Sequence, residues 1–324
     1  MKLATFIGRN DAPAIGVVDT ARGAVLDLVA AARAGGRPAD GAFTDMLALI
    51  DAGAAGLDEA RRLAAAWPRA AELPLAGLRL LAPLLPRQMR DCLVFEEHLK
   101  NGMAQREKRT GVKGSIPDVW YRQPIYYKCN RFSVAGPDAD VVWPKYSKVM
   151  DFELELACVI GRTGKDIARE RALEHIFGFT IFNDFSARDA QFAEMEGRLG
   201  PAKGKDFDGG NVMGPWIVTL DEIGDPHALK MEVRVNGARW GGGNSAAMHH
   251  KFPDILAHIS DAETLHAGEV IGSGTVGTGS GNDLGRYLNS GDVVELEIEK
   301  IGVLRNRVVG VMEPAPTSIA TSVG

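Results

Sequence analysis

Three clusters in this 324-residue sequence carry side chains able to do chemistry together. The first is Asp151-Phe152-Glu153-Leu154-Glu155-Leu156-Ala157-Cys158-Val159-Ile160. Read as a strand, its side chains alternate between faces, so Asp151, Glu153 and Glu155 share one face and Phe152, Leu154, Leu156 and Cys158 the other. Same-face neighbours lie roughly 7 Å apart. Carboxylates that close, leading into an apolar strand and short of water, repel one another and resist ionising. A hard divalent cation relieves this, and oxygen donors suit magnesium, calcium or manganese. A solvated acidic face on an antiparallel strand would produce the same alternation.

The second cluster follows the apolar run Phe179-Thr180-Ile181-Phe182 and reads Asn183-Asp184-Phe185-Ser186-Ala187-Arg188-Asp189-Ala190-Gln191. A helix opening there sets Asp184, Arg188 and Gln191 at i, i+4 and i+7, on one face. A carboxylate, a guanidinium and an amide on one stripe combine a cation ligand with an anion clamp. An exposed i, i+4 ion pair is the plainer alternative. The third cluster is Arg90-Asp91-Cys92-Leu93-Val94-Phe95-Glu96-Glu97-His98. A carboxylate against the His98 imidazole would fix its tautomer and raise its basicity. Lys205, in the turn Gly204-Lys205-Asp206-Phe207-Asp208, is placed to reach an oxyanion.

The elements that must hold these groups are mostly strands. Val149–Ile160, Gly178–Asn183, Trp216–Leu220, Leu229–Val235, Val270–Gly274 and Val293–Ile301 are apolar runs separated by turn residues. Helical spacing is confined to Arg169–Ile176, Ser186–Glu196 and Asp254–Ser260. The absence of regular strand–helix alternation predicts an α+β, mostly β fold with mixed sheets. Ahead of it, residues 1–85 read as a small N-terminal α+β domain. Its strands are Lys2–Ile7, Ala14–Val18 and Ala24–Leu28, and a helical stretch at Asp45–Ala66 is broken by Gly53 and Gly56. Residues 86–324 form the second domain. Within it Leu99–Pro124 is polar, basic and weakly periodic, a loop or a lid over a pocket. The tail from Pro314 to Gly324 reads as frayed.

Composition narrows the function. Hydrophobic residues at 45% and charged residues at 24% place the chain in the ordinary globular range and exclude a disordered chain. A formal net charge of -5 removes bulk attraction for nucleic acid or anionic lipid. No apolar run approaches a membrane span, and the start is too short for a signal sequence, so a cytoplasmic location is expected. Cys92, Cys129 and Cys158 form no disulfide or zinc pattern. Gly272-Ser273-Gly274-Thr275-Val276-Gly277 matches GxGxxG, but Thr278–Asp283 is expected not to open the helix that a dinucleotide site needs. His249-His250, read on a strand, would face opposite ways and share no metal.

Taken in order, these motifs resemble the fumarylacetoacetate hydrolase family over residues 87–310. The resemblance is carried by Met150–Glu155, Asn183–Gln191, Gly204–Phe207, Leu265–Glu269 leading to Gly272–Thr275, and Gly291–Glu297. It implies a mixed β-sandwich roll of the family's C-terminal-domain type, holding Mg2+, Mn2+ or Ca2+ and pairing as a homodimer. It further implies a small oxo-acid substrate, with Glu153, Glu155 and Asp184 as metal ligands and Asp91, seven residues before His98, as a fourth. Catalytic roles fall to His98, Lys205, Arg188 and Gln191, and substrate contacts to Tyr127 and Thr275. The expected reaction is hydrolytic cleavage of a carbon–carbon bond in a β-diketo acid. Oxo-acid decarboxylation and keto–enol isomerisation are the alternatives, with a catalytically silent acid-binding protein behind them. The family's Glu three residues after the histidine is replaced here by Asn101, and no late Glu stands around Asn282–Tyr287. The acidic partner of His98 therefore stays open among Glu96, Glu97 and Glu107.

Overall fold

The computed structural model describes residues 1–36 and 41–310, so the expectation for Pro314–Gly324 lies outside the described residues. The architecture is α+β and strand-rich. A large mixed sheet runs in the order Glu72–Pro74, Ala24–Asp27, Pro13–Asp19, Lys2–Ile7, Asn211–Thr219, Ile176–Asp184, Leu154–Ile160, Val270–Gly272, Met89–Cys92 and Tyr126–Lys128. A second sheet orders Ala238–Asn244, Lys230–Val235, Val293–Ile298, Gly302–Val309 and Asp140–Val142.

The middle of the large sheet is buried on both faces, which is why its strands read as near-continuous apolar runs. Every residue of Leu154–Ile160 and Ile176–Asp184 is buried. Alternate side chains serve two cores. Leu154, Leu156, Cys158 and Ile160 pack with Phe179, Ile181 and the helix Phe252–Ser260. Ala157, Val159 and Phe182 pack with Leu3, Ile15, Leu49 and Leu63 from the N-terminal region. The two strands pair antiparallel, Leu154 opposite Asn183.

The N-terminal strands join the same sheet, since Lys2 and Leu3 pair with Val218 and Ile217. Their helices are Leu28–Ala34, capped by Asp27, then Met46–Asp51, capped by Asp45, and Gly53–Ala66. The helical stretch breaks at Gly53, whose φ of 58° suits glycine. Gly56 does not break it. A Cβ there would stand 2.7 Å from that of Ala52, so this glycine serves close packing.

Other expectations are corrected. Leu99–Pro124, expected as a loop or a lid, carries helix at both ends of a non-helical stretch over 111–117. Glu96–Thr110 forms one helix and Asp118–Arg122 a second. The two histidines at 249 and 250 do not face apart. His249 Nε2 lies 3.2 Å from the carbonyl of Tyr121 and His250 Nε2 2.8 Å from that of Trp120, so both pin the second of these helices. A single helical turn does open in the Gly-rich stretch, at Gly281–Leu284. Ser280 and Asp283 cap it reciprocally.

Candidate active site

Three strands, Met89–Cys92, Tyr126–Lys128 and Leu154–Ile160, and the helix Glu96–Thr110 converge on one cavity of about 720 Å³. Asp91 comes from Met89–Cys92, which pairs in parallel with Val270–Gly272 so that Asp91 lies opposite Gly272. Glu155 lies on Leu154–Ile160, and Asp184 ends Ile176–Asp184. Carboxylate oxygens of Asp91, Glu155 and Asp184 all lie within 4.8 Å of one another. Glycine makes this possible. A Cβ at position 272 would stand 2.6 Å from Asp91 Oδ1 and 2.7 Å from Glu155 Oε2. Gly274, at φ 80°, donates its N–H to both of those oxygens. The glycines of the GxGxxG match thus cradle carboxylates.

Three buried acids share few donors. Glu155 Oε1 and Asp184 Oδ1 have no hydrogen-bond partner among the described residues. Burial pushes Asp91 up to about 7, against a hydrogen bond from Glu155, with the Asp184 charge adding to the rise. Burial likewise raises Asp184 to about 6, opposed by Lys205 and reinforced by Glu153. Glu155 is driven well above the carboxylate range by burial and by Asp91. Unpartnered, hard oxygen donors on acids that resist ionising fit a divalent cation.

Glu153 is in different company. Its oxygens accept from Arg188 Nη2 at 2.6 Å and from Lys205 Nζ. Burial pushes this carboxyl up, but the two cations outweigh it and hold it well below its usual range. Lys205 Nζ also donates to Asp184 Oδ2 at 2.6 Å, as does the Tyr127 hydroxyl at 2.6 Å. Lys205 therefore bridges the acids with its ammonium, its pKa lowered by burial but raised overall by Asp184 and Glu153.

Two geometric expectations fail here. Asp184, Arg188 and Gln191 do not share one helix. Asp184 belongs to the strand, Ser186–Ala187 pair with Met150–Asp151, and the helix begins only at Arg188. Arg188 and Gln191 still line one cavity, and Asp184 meets the cavity-lining Lys205 behind them; Arg188 Nη1 donates to Gln191 Oε1 at 2.8 Å. Nor do the three acids at 151, 153 and 155 line one face. The strand is interrupted after Asp151, and that side chain turns to Arg188 Nε, 2.7 Å away, and to the backbone of Gly281 and Asn282.

The acid facing His98 is none of the glutamates considered. His98 Nδ1 lies 2.8 Å from Asp283 Oδ1 and 3.0 Å from Oδ2. Glu96 instead meets Lys100 and Tyr121. Burial lowers the His98 pKa, but the charge and hydrogen bond of Asp283 more than reverse it. Asp283 was legible as the last residue of Ser280-Gly281-Asn282-Asp283, a capping-box spacing. His98 Nε2 stands 4.0 Å from Glu153 Oε1. Thr275 and Gln191 line the same cavity.

Residues 91–309 match the family described as fumarylacetoacetate (FAA) hydrolase, C-terminal. The chain belongs to the fumarylacetoacetate hydrolase family. The human protein named oxaloacetate tautomerase FAHD2A, mitochondrial, is 36% identical over 268 residues, which cover 82% of this chain and 79% of that protein. A fumarylacetoacetate hydrolase from psychrophilic Exiguobacterium antarcticum superposes with a TM-score of 0.73 at 31% identity, covering 96% of this chain and 100% of the other. Maleylpyruvate hydrolase from Sphingobium sp. SYK-6, solved with manganese(II) ion and pyruvate, superposes with a TM-score of 0.72 at 26% identity, covering 96% and 100%. Members of the fumarylacetoacetate hydrolase family are enzymes, and hydrolases, isomerases and tautomerases occur among them. That relative holds manganese, and the acidic trio found here is a group that could hold a cation. Among the described residues no helix is long and apolar enough to cross a membrane, and the three cysteines are free and buried.

Proposed function

We propose that this chain hydrolyses a carbon–carbon bond of a small β-diketo acid with the help of a divalent cation. The observation that carries the reading is the His98–Asp283 pair, whose imidazole lines the same cavity as Asp91 and Glu155, with Asp184 grouped against those two acids. Those three acids would hold magnesium or manganese, with Glu153 beside them. Such a cation supplies Lewis-acid polarisation of the oxygens of an α-oxo acid.

The protein groups do the rest. His98 donates Nδ1–H to Asp283 and keeps Nε2 as a base toward water. Asp283 then stabilises the imidazolium formed. The hydroxyl adds to the carbonyl remote from the oxo-acid end, and the bond to the central carbon breaks. The electron pair is left as an enolate beside Lys205, and the His98 proton returns to that carbon. Arg188 and Gln191 hold the terminal carboxylate. Tyr127 fixes Asp184 through its hydroxyl. Arg109, which also lines the cavity, stacks on Phe192, 4.3 Å from the ring centre, and has no carboxylate partner among the described residues. A cavity of about 720 Å³ with this guanidinium in its lining supports an acid longer than four carbons, with a second anionic end.

The tautomerase reading is favoured by one observation, the name of the 36% identical human relative. The same base and cation would then only move a carbon-bound proton. Cation-free protein incubated with acylpyruvates and with oxaloacetate, with and without magnesium or manganese, separates the two by NMR of the products. Pyruvate plus a second acid, only with cation, supports hydrolysis. Enol–keto exchange of oxaloacetate without cleavage replaces it with tautomerisation, and silence across the panel overturns both. In the active reaction His98→Ala should lower kcat by about 100-fold or more while cation affinity, read by calorimetry, is kept.

A further inference from the structure

One buried carboxylate beside the cavity has no part in this chemistry. Asp151 is fully buried, yet it makes no contact with the acidic trio. Its two oxygens take four N–H donors. Oδ1 accepts from the backbone of Phe152 at 2.8 Å and of Gly281 at 2.7 Å. Oδ2 accepts from Asn282 N at 2.9 Å and from Arg188 Nε at 2.7 Å. Gly281 and Asn282 open the helical turn whose third residue is Asp283. That turn is tied to itself, since Ser280 Oγ accepts from Asp283 N and Asp283 Oδ2 accepts from Ser280 N, each at 3.1 Å. The approach is so close that a Cβ on Gly281 would stand 2.5 Å from Asp151 Oδ1.

We propose that Asp151 is a positioning residue that sets two functional groups with one carboxylate: the guanidinium of Arg188 and, through the turn Gly281–Leu284, the Asp283 carboxylate that orients His98. Donor count at the two oxygens decides this. Four N–H groups converge where only an acceptor at both oxygens satisfies all of them. In Asp151→Asn one oxygen becomes an NH2 group, which faces N–H donors in either amide orientation. Either the Arg188 side or the turn then shifts, and misplacement by about 1 Å at a reacting geometry costs on the order of 100-fold in rate.

The proposal rests on the roles given above to His98 and Arg188, so its test needs one readout of turnover and one without it. In Asp151→Asn, kcat should fall about 10- to 100-fold and KM for the oxo-acid should rise, with manganese affinity unchanged. The loss in kcat should not add to that of Asp283→Asn; the double variant should stay within about twofold of Asp283→Asn alone. Additive losses, or an Asp151→Asn enzyme with wild-type kinetics, overturn the proposal. Where Asp151→Asn does not fold, Gly281→Ala displaces the turn from Asp151 and from the Arg286 carbonyl, which the added Cβ also strikes, while leaving the Arg188 contact, and should lower kcat with KM little changed; equal effects on both overturn it. Independently of turnover, the His98 Nδ1–H proton resonance should move in Asp151→Asn toward its state in Asp283→Asn. An unmoved resonance overturns the positioning role, whereas a moved resonance in a protein inactive on every oxo-acid keeps it and discards only the reaction proposed above.

Discussion

Asp151 and Glu155 stand four residues apart in one acidic stretch, and both are wholly buried, but they live in opposite surroundings. Asp151 meets four N–H donors, including a guanidinium. Glu155 meets one backbone N–H on one oxygen and has no hydrogen-bond partner on the other among the described residues, while two more acids crowd it. A buried charge persists only when paired and hydrogen-bonded. Asp151 is complete within the protein itself, and Glu155 is complete only with something positive from outside. The difference separates a carboxylate that builds from one that binds, within a single motif.

The sharpest way to break this comparison is Glu155→Gln. The amide copies the protonated acid, so the cation-free variant should melt at or above the wild-type temperature. At manganese about 100 times its Kd the wild type should gain about 2.7 kcal/mol, and the variant essentially nothing. A retained cation-induced shift on thermal unfolding would place the cation elsewhere.

Next in size is the pH dependence. Asp91 at about 7 and Asp184 at about 6 lie above the ordinary carboxylate range. Between the unfolded and folded values the cation-free folded state holds protons that the unfolded chain has lost. Stability of the cation-free protein therefore falls as pH rises through that window, and the contribution is lost by about pH 7. Cation binding must expel the same protons, so affinity should rise by about tenfold per pH unit for each proton between pH 5 and 7, then level off. Calorimetry in buffers of different ionisation enthalpy counts the protons released, and an affinity flat from pH 5 to 8 would sink the assignment.

A smaller effect is expected from Gly272→Ala. The added methyl collides with Asp91 and Glu155, so manganese affinity should drop about tenfold with about 1–3 kcal/mol of lost stability. The smallest belongs to Glu96→Gln. It removes an exposed 3.0 Å pair with Lys100, worth less than about 0.5 kcal/mol, and should leave turnover within twofold. A large loss of turnover there would reopen the choice of acid facing His98.

Much of this was legible in the sequence where one local rule governed. Buried strands announced themselves as apolar runs, and Glu155 and Asp184 lay in motifs whose carboxylate chemistry singled them out, while Asp91 was pointed to only by the family resemblance. Reading failed where tertiary contact overrode periodicity. Asp184 and Arg188 looked like helix neighbours, but a strand end and a short antiparallel pair intervene. Asp151 looked like one more acid on a common face, but the strand breaks after it and Arg188 captures it. Asp283 escaped because glycines around it argued against a helix, although Ser280 at the capping-box spacing argued for one. Lys205 was expected to face a ligand, and it does sit among the acids, an arrangement that only three-dimensional proximity reveals.

The register that sets Asp91 opposite Gly272 also has a kinetic consequence. Residues 181 positions apart must find one another before the trio exists, and closing so long a loop is slow compared with forming the neighbouring Leu154–Ile160 and Ile176–Asp184 pair. A growing chain cannot assemble the acidic pocket until the segment around Gly272 has been made. The centre is therefore a late product of folding, and metal capture should report the arrival of the finished sheet rather than guide its construction.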